Sequence, residues 1–341
     1  MLKENFLEKK IIYLMFSILL SFLYVYTYFS IPNRILKDRA NYIIYANDPD
    51  FFLNNYDGIA LFFNEPIFLL LNKFYTLYFS PDVVPLIFVL LNTSALMFFL
   101  IKESKNLSLF FLGLIFVIVC PYLFQSQLTA LRQTLAISIF LISFFCFKDH
   151  KKIFLSLIFC SFIHSIFFLI SFFYFFNFIF FKRLSIDSKL ILNFLTMLLI
   201  SIVFLILLEF FGLRQASEYG ENSGNVLVVG GGAFLMMGVT FFALYIQKKN
   251  LESDLFLLTM MGLILFLTGY FINPIAGRLF NSFAPFLIIL LVSKPTKINF
   301  GLLVFLCIVY SVLYFNGAYN EVFYIKQDGI VNVLKKIDWI F

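Results

Sequence analysis

Arg132 and Gln133 stand together within one apolar run, CPYLFQSQLTALRQTLAISIFLISFF, and His164 lies inside another, KKIFLSLIFCSFIHSIFFLISFFYFFNFIFF. An ionisable side chain in or at the lip of a membrane segment is costly unless it meets a partner or a water-lined cavity, so each is a functional candidate. Two more arginines stand apart from the basic clusters, Arg214 in GLRQASEYGENSGN and Arg278 in INPIAGRLFNSF. Asp48, Asp57 and Glu65 lie in a stretch rich in Tyr and Asn. A guanidinium presents a planar fork that donates two parallel, charge-assisted hydrogen bonds, so isolated arginines facing one compartment suit an anionic ligand such as a diphosphate.

The elements that must hold these groups follow from composition. Of 341 residues 62% are hydrophobic, 21% aromatic and 13% charged, and the mean hydropathy is +0.97. A soluble fold of this length would leave far too much apolar surface in water, so the chain reads as an all-α, polytopic integral membrane protein with one transmembrane domain over residues 1–341. The 52 Phe carry little functional signal, because stripes of them serve equally well as packing or lipid-facing filler. The net charge of +6 is spread in short clusters instead of lining one face, which excludes a nucleic-acid footprint. Cys120, Cys146, Cys160 and Cys307 lie in or beside apolar segments, with neither a CxxC pair nor a histidine at ligand spacing. They are expected to be reduced packing residues, and neither a metal site nor a cofactor is expected.

Residues 11–30 are long enough to span, and they lack a small-residue cleavage site, so they read as a retained anchor. Lys3, Lys9 and Lys10 place the N-terminus in the cytoplasm, and residues 31–82 form an external loop. Within it PIFLLLNKFYTLYF is short and interrupted by Asn72 and Lys73, which fits an interfacial or re-entrant helix. That choice puts the KESKN, KDHKK, KRLSIDSK, QKKNLESD and KPTK clusters inside, where basic residues of short loops belong, and most of the 19 Asp and Glu outside. The other spans fall near 83–101, 107–124, 131–147, a pair within 153–181, 189–210, 232–247, 255–272, 279–293 and 298–316, for about eleven crossings. Residues 211–231 become a second external loop and 317–341 a tail. Residues 153–181 have basic flanks at both ends yet are too short for two full spans, so a broken hairpin turning near Ser161–Ser165 is expected. Every candidate named above then faces the outside.

A family resemblance rests on the order of these stretches. An acidic, Tyr-rich first loop ending in NEPIFLLLNKF, then LRQTLAISIF, FIHSIFFLI and GRLFNSFAPFLIILL, resembles the EpsG-type branch of the Wzy-type polysaccharide polymerases over about residues 40–293. The resemblance implies a metal-independent glycosyltransferase of the bacterial inner membrane, serving O-antigen, capsule or exopolysaccharide synthesis outside the cytoplasm. In that family a growing glycan is transferred as a block from undecaprenyl diphosphate to a sugar hydroxyl of a fresh lipid-linked unit. Arg132 and Gln133 match the Arg-Gln pair, His164 the membrane histidine, Arg278 the late arginine, and Glu65 with Pro66 the acidic start of the interfacial helix. The charged later loop corresponds to Arg214–Asn225 without a matching motif, and VVGGGAF departs from the family pattern. Implied partners are undecaprenyl-diphosphate-linked oligosaccharides, the bilayer, and a flippase and chain-length regulator of the same pathway.

The resemblance also implies roles. Breaking the anomeric bond puts negative charge on a lipid diphosphate, which Arg132, Arg278 and Arg214 would stabilise in a poorly hydrated site. The attacking hydroxyl needs a base, for which Glu65, Asp57 or His164 qualifies, while Gln133 and Asp48 are substrate-binding candidates. Each residue also has a plainer use. Arg132 could snorkel to headgroups, His164 could be a satisfied core histidine, Arg278 could cap a loop, and Glu65 could complement a helix N-terminus. A flippase for the same lipids should show repeated halves, and no internal repeat is visible. A membrane acyltransferase needs a histidine over an acyl donor, for which only His164 and the basic-loop His150 are available.

Overall fold

The computed structural model describes residues 2–55, 64–211, 231–272 and 275–323. Regular structure among them is helical, apart from one antiparallel bridge between Leu36 and Phe323. In chain order the helices are α1 (Leu2–Phe29), α2 (Arg39–Asn47), α3 (Pro49–Asn54), α4 (Pro66–Thr76), α5 (Val84–Glu103), α6 (Leu107–Val119), α7 (Pro121–Leu128), α8 (Leu131–Cys146) and α9 (His150–Ser161). They continue with α10 (Ile166–Tyr174), which runs on as a π-helical turn at Phe175–Phe180, then α11 (Ile186–Phe211), α12 (Gly232–Ile246), α13 (Lys248–Leu251), α14 (Asp254–Gly269), α15 (Ile275–Ser293) and α16 (Lys297–Phe315).

Local chemistry sets many of the boundaries. Proline opens α3, α4 and α7, where its missing N–H costs nothing. Asp48, Asn106 and Asp149 cap α3, α6 and α9 by accepting from the main-chain N–H groups of Phe51, Leu109 and Lys151 at 2.9–3.0 Å.

The all-α membrane architecture holds, and its spans are less uniform than hydropathy suggests. Among the described residues five stretches are long and apolar enough to cross a bilayer: Lys10–Phe29 in α1, α5, Ile186–Val203 in α11, α15 and α16. The expected span at 107–124 is broken between Val119 and Pro121, with α6 and α7 bent by 67°, and counted together they make a sixth. Four shorter apolar helices, α8, α10 with its π turn, α12 and α14, lie where other crossings were expected, so five or six stretches among the described residues are span-length where about eleven crossings were expected. At eleven residues, α4 reaches only about 16 Å, half of a hydrocarbon core, in keeping with an interfacial element. The turn expected near Ser161–Ser165 lies between α9 and α10.

Contacts divide the chain into two compact units, residues 1–172 with 291–341, and residues 173–290. In the first, α8 packs among α5, α7 and α9, and α1 lies along α5 and α6. The long loop after α1 is folded helix by helix onto this bundle, with Tyr42, Ala46, Phe68 and Leu69 buried beneath it. Residues after α16 dock on its start, where the Lys37 N–H donates to the Val322 carbonyl at 3.0 Å.

In the second unit α11 and α12 both pack on α14, and Asn177 and Asn193 exchange reciprocal amide hydrogen bonds at 2.8 and 3.1 Å. There α14 approaches α15 so closely that a Cβ on Gly262 would lie 2.3 Å from the Phe283 Cβ. Small residues at such contacts are what let membrane helices pack without a hydrophobic driving force. Gly262→Ala is therefore expected to lower the melting temperature in detergent, by an overpacking cost of about 1–3 kcal/mol. Gly301→Ala, with nothing within 4 Å of the added carbon, should leave it nearly unchanged in the same assay.

Candidate functional site

Glu65 immediately precedes α4 and has left-handed backbone angles, φ 60° and ψ 51°. A residue with a Cβ adopts that conformation at a cost of about 1–2 kcal/mol. Such strain persists where surrounding contacts over-determine it, commonly at functional positions. Here the side chain makes no capping bond to its own helix. It turns into the protein instead, with the residue only 6% exposed.

Three chain segments converge on its carboxylate. Oε2 accepts a hydrogen bond from Arg132 Nη1, in the first turn of α8. Oε1 lies 2.5 Å from His164 Nδ1 and accepts from the Ser165 N–H at 3.3 Å, both in the turn between α9 and α10. The Ile67 N–H donates to the Phe162 carbonyl at 3.1 Å, joining the start of α4 to that same turn. Because an ionised carboxylate can only accept, Nδ1 must carry the shared proton, which leaves Nε2 as the basic nitrogen of the neutral ring.

An aromatic wall surrounds the arginine. The rings of Tyr45, Tyr42 and Phe68 lie 5.3, 5.8 and 5.9 Å from Arg132 Cζ, within range of cation–π attraction. Tyr42 and Tyr45 are three residues apart on α2 and so share one side of it. The Arg132 side chain is 32% exposed, which makes it the accessible member of the cluster.

Burial is the largest influence on the Glu65 carboxyl and pushes it up. The hydrogen bond and charge of His164, then the charge of Arg132 and the Ser165 amide, outweigh burial and hold it below the ordinary carboxylate range. The cluster therefore combines a carboxylate that stays ionised, an imidazole oriented by it, and a guanidinium that keeps part of its side chain exposed.

The other candidates are placed differently. Gln133 follows Arg132 in the first turn of α8 and is 3% exposed. Asp48 caps α3 through Oδ1. Arg278 is exposed in the first turn of α15, within the second unit. Asp57 and Arg214 lie outside the described residues. Residue types alone did not single out Tyr42, Tyr45, Phe68 or the Ser165 amide; the i, i+3 tyrosines in NYIIYAN were the available signal.

A model of the EpsG family matches residues 17–326, a span that includes every residue of this cluster. The chain belongs to the EpsG family. Neither the curated proteins nor the solved structures compared with the chain give a match. Membership in the EpsG family suggests a polysaccharide-polymerase type of role and a general transferase activity, and with the apolar helices it indicates a multi-pass membrane protein.

The depressed Glu65 carboxyl has a definite pH signature. A group whose folded pKa lies below its unfolded value adds stability that is full above the unfolded value and fades as pH falls through the folded one. Against Glu65→Gln, the wild type is expected to be more stable at neutral pH by about 1–3 kcal/mol, the cost of leaving buried donors unpaired. That advantage should hold down to the ordinary value of 4.5 and vanish below it. Thermal melts of both proteins across pH would measure it.

Proposed function

We propose that this protein lengthens lipid-linked oligosaccharides on the extracytoplasmic face of the bacterial inner membrane, with its N-terminus in the cytoplasm. The growing glycan leaves undecaprenyl diphosphate as a block and is joined to an acceptor sugar hydroxyl of a fresh lipid-linked unit. The observation that carries this reading is the sharing of Glu65, whose one oxygen orients His164 and whose other oxygen holds Arg132.

The step balances as follows. The acceptor hydroxyl oxygen attacks the anomeric carbon of the donor glycan while its proton passes to His164 Nε2. The bond from the anomeric carbon to the diphosphate breaks, and its electron pair leaves on the diphosphate oxygen. Glu65 stabilises the imidazolium that forms and fixes the ring, the role a carboxylate plays in hydrolytic triads. Arg132 uses Nη1 on Glu65 and also hydrogen-bonds the Tyr42 hydroxyl; in this reading the N–H donors that these contacts leave over meet the charge developing on the leaving group. In this reading guanidinium groups supply the cationic charge, and the chemistry is metal-independent. Gln133, Arg278, Arg214 and Asp48 stay as substrate-contact candidates on the strength of the family motifs, with Asp57 as a further carboxylate.

Surface polysaccharide from a deletion strain complemented with wild type or Arg132→Ala, resolved by length with membrane abundance checked alongside, tests this. Arg132→Ala at normal abundance is expected to leave mainly single lipid-linked repeats, since losing one transition-state donor costs about a hundredfold to a thousandfold in rate. Long chains that persist without the protein, with only their decoration changed, would overturn the proposal in favour of an acyltransferase.

A further inference from the structure

Arg39 heads the wholly buried side chains by size, at 0% exposure. Its Nε donates to the Leu128 carbonyl at 2.7 Å and its Nη1 to Asn33 Oδ1 at 3.1 Å, while Nη2 has no hydrogen-bond partner among the described residues. Burial, opposed by the Tyr42 phenol, lowers its pKa to about 10, so it is charged at neutral pH. An interior guanidinium held by two neutral acceptors is an expensive way to fill space, and an apolar side chain of similar volume would often be no worse for stability. Its value lies in what the two bonds join.

Leu128 is the last residue of α7, whose terminal carbonyls lack partners within the helix. Three residues later α8 begins, and Arg132 is its second residue. Arg39 is the first residue of α2, the helix whose Tyr42 and Tyr45 flank the Arg132 guanidinium. Its second acceptor, Asn33, donates in turn to the Asp82 carbonyl at 2.7 Å, in the link between α4 and α5. One side chain therefore ties the aromatic wall of Arg132 to the corner that launches Arg132, and through Asn33 to the segment that follows α4, the helix that Glu65 precedes.

We infer that Arg39 is a positioning residue for Arg132, an interior brace that sets the guanidinium between Glu65 and the tyrosines without touching substrate. The inference rests on the polymerase proposal for its kinetic readout and on geometry alone for its structural one.

The test uses the full chain in proteoliposomes with a synthetic lipid-linked repeat, comparing wild type, Arg39→Lys, Arg39→Met, Asn33→Ala, Arg132→Ala and Arg39→Met combined with Arg132→Ala. Lysine keeps the charge but cannot span both acceptors, so Arg39→Lys is expected to remain folded and to lose about tenfold to a hundredfold in kcat, the scale of a misplaced catalytic group, with little change in KM. On the Arg132→Ala background Arg39→Met should cost nothing further in rate, because both act through one group. Effects that multiply, or wild-type turnover in both Arg39→Lys and Asn33→Ala, would overturn it. If Arg39→Met does not accumulate folded, the same comparison is made with Arg39→Lys on the Arg132→Ala background. Failure of the wild type to extend chains would instead count against the polymerase proposal. The melting temperatures of the same single and double variants then decide the brace without substrate, non-additivity supporting it and strict additivity refuting it.

Discussion

A carboxylate can stay charged away from water only where donors and cations meet it from several sides, and Glu65 imposes that condition on the first compact unit. It needs the start of α8 to deliver a guanidinium, the turn between α9 and α10 to deliver an imidazole and a main-chain N–H, and a left-handed kink ahead of α4 to aim it at both. Each of those breaks in regular structure would be a liability in a simple bundle of spanning helices. Together they build a polar cluster from backbone irregularities that apolar spans do not tolerate unless the exposed groups are satisfied within the protein.

The same arrangement separates orientation from chemistry. Glu65 is nearly sealed, whereas Arg132 keeps a third of its side chain open. The positive charge is therefore the more exposed of the two, while the negative charge that anchors it is buried. The aromatic wall adds attraction for the guanidinium through its ring faces, and the Tyr42 hydroxyl also hydrogen-bonds it. Because the anchoring groups are fixed by packing, little reorganisation is required when charge develops on a bound group.

Much of this was legible in the sequence, and for a specific reason. Arg132 and His164 stand out because each is ionisable within an apolar run, and Glu65 because it is the acid just ahead of the short helix opened by Pro66. Their convergence was not legible, since Glu65 is separated by 67 residues from Arg132 and by 99 from His164. Tyr42 and Tyr45 were invisible in a chain with 18 Tyr and 52 Phe, where an aromatic carries no distinction. Hydropathy also reported 107–124 as one span, because it averages over side chains and is blind to the backbone break that Pro121 marks. The capping of α3 by Asp48 was not legible either, since residue type alone does not separate a cap from a ligand group.

Reconstitution with a defined substrate bears most directly on the catalytic proposal. Purified protein in liposomes would receive only undecaprenyl-diphosphate-linked repeat units, with glycan length and released undecaprenyl diphosphate followed together. A ladder of lengths with one undecaprenyl diphosphate released per new linkage is the expected result. Lengthening that requires an added nucleotide sugar, or no lengthening and transfer of an acyl group instead, would contradict it.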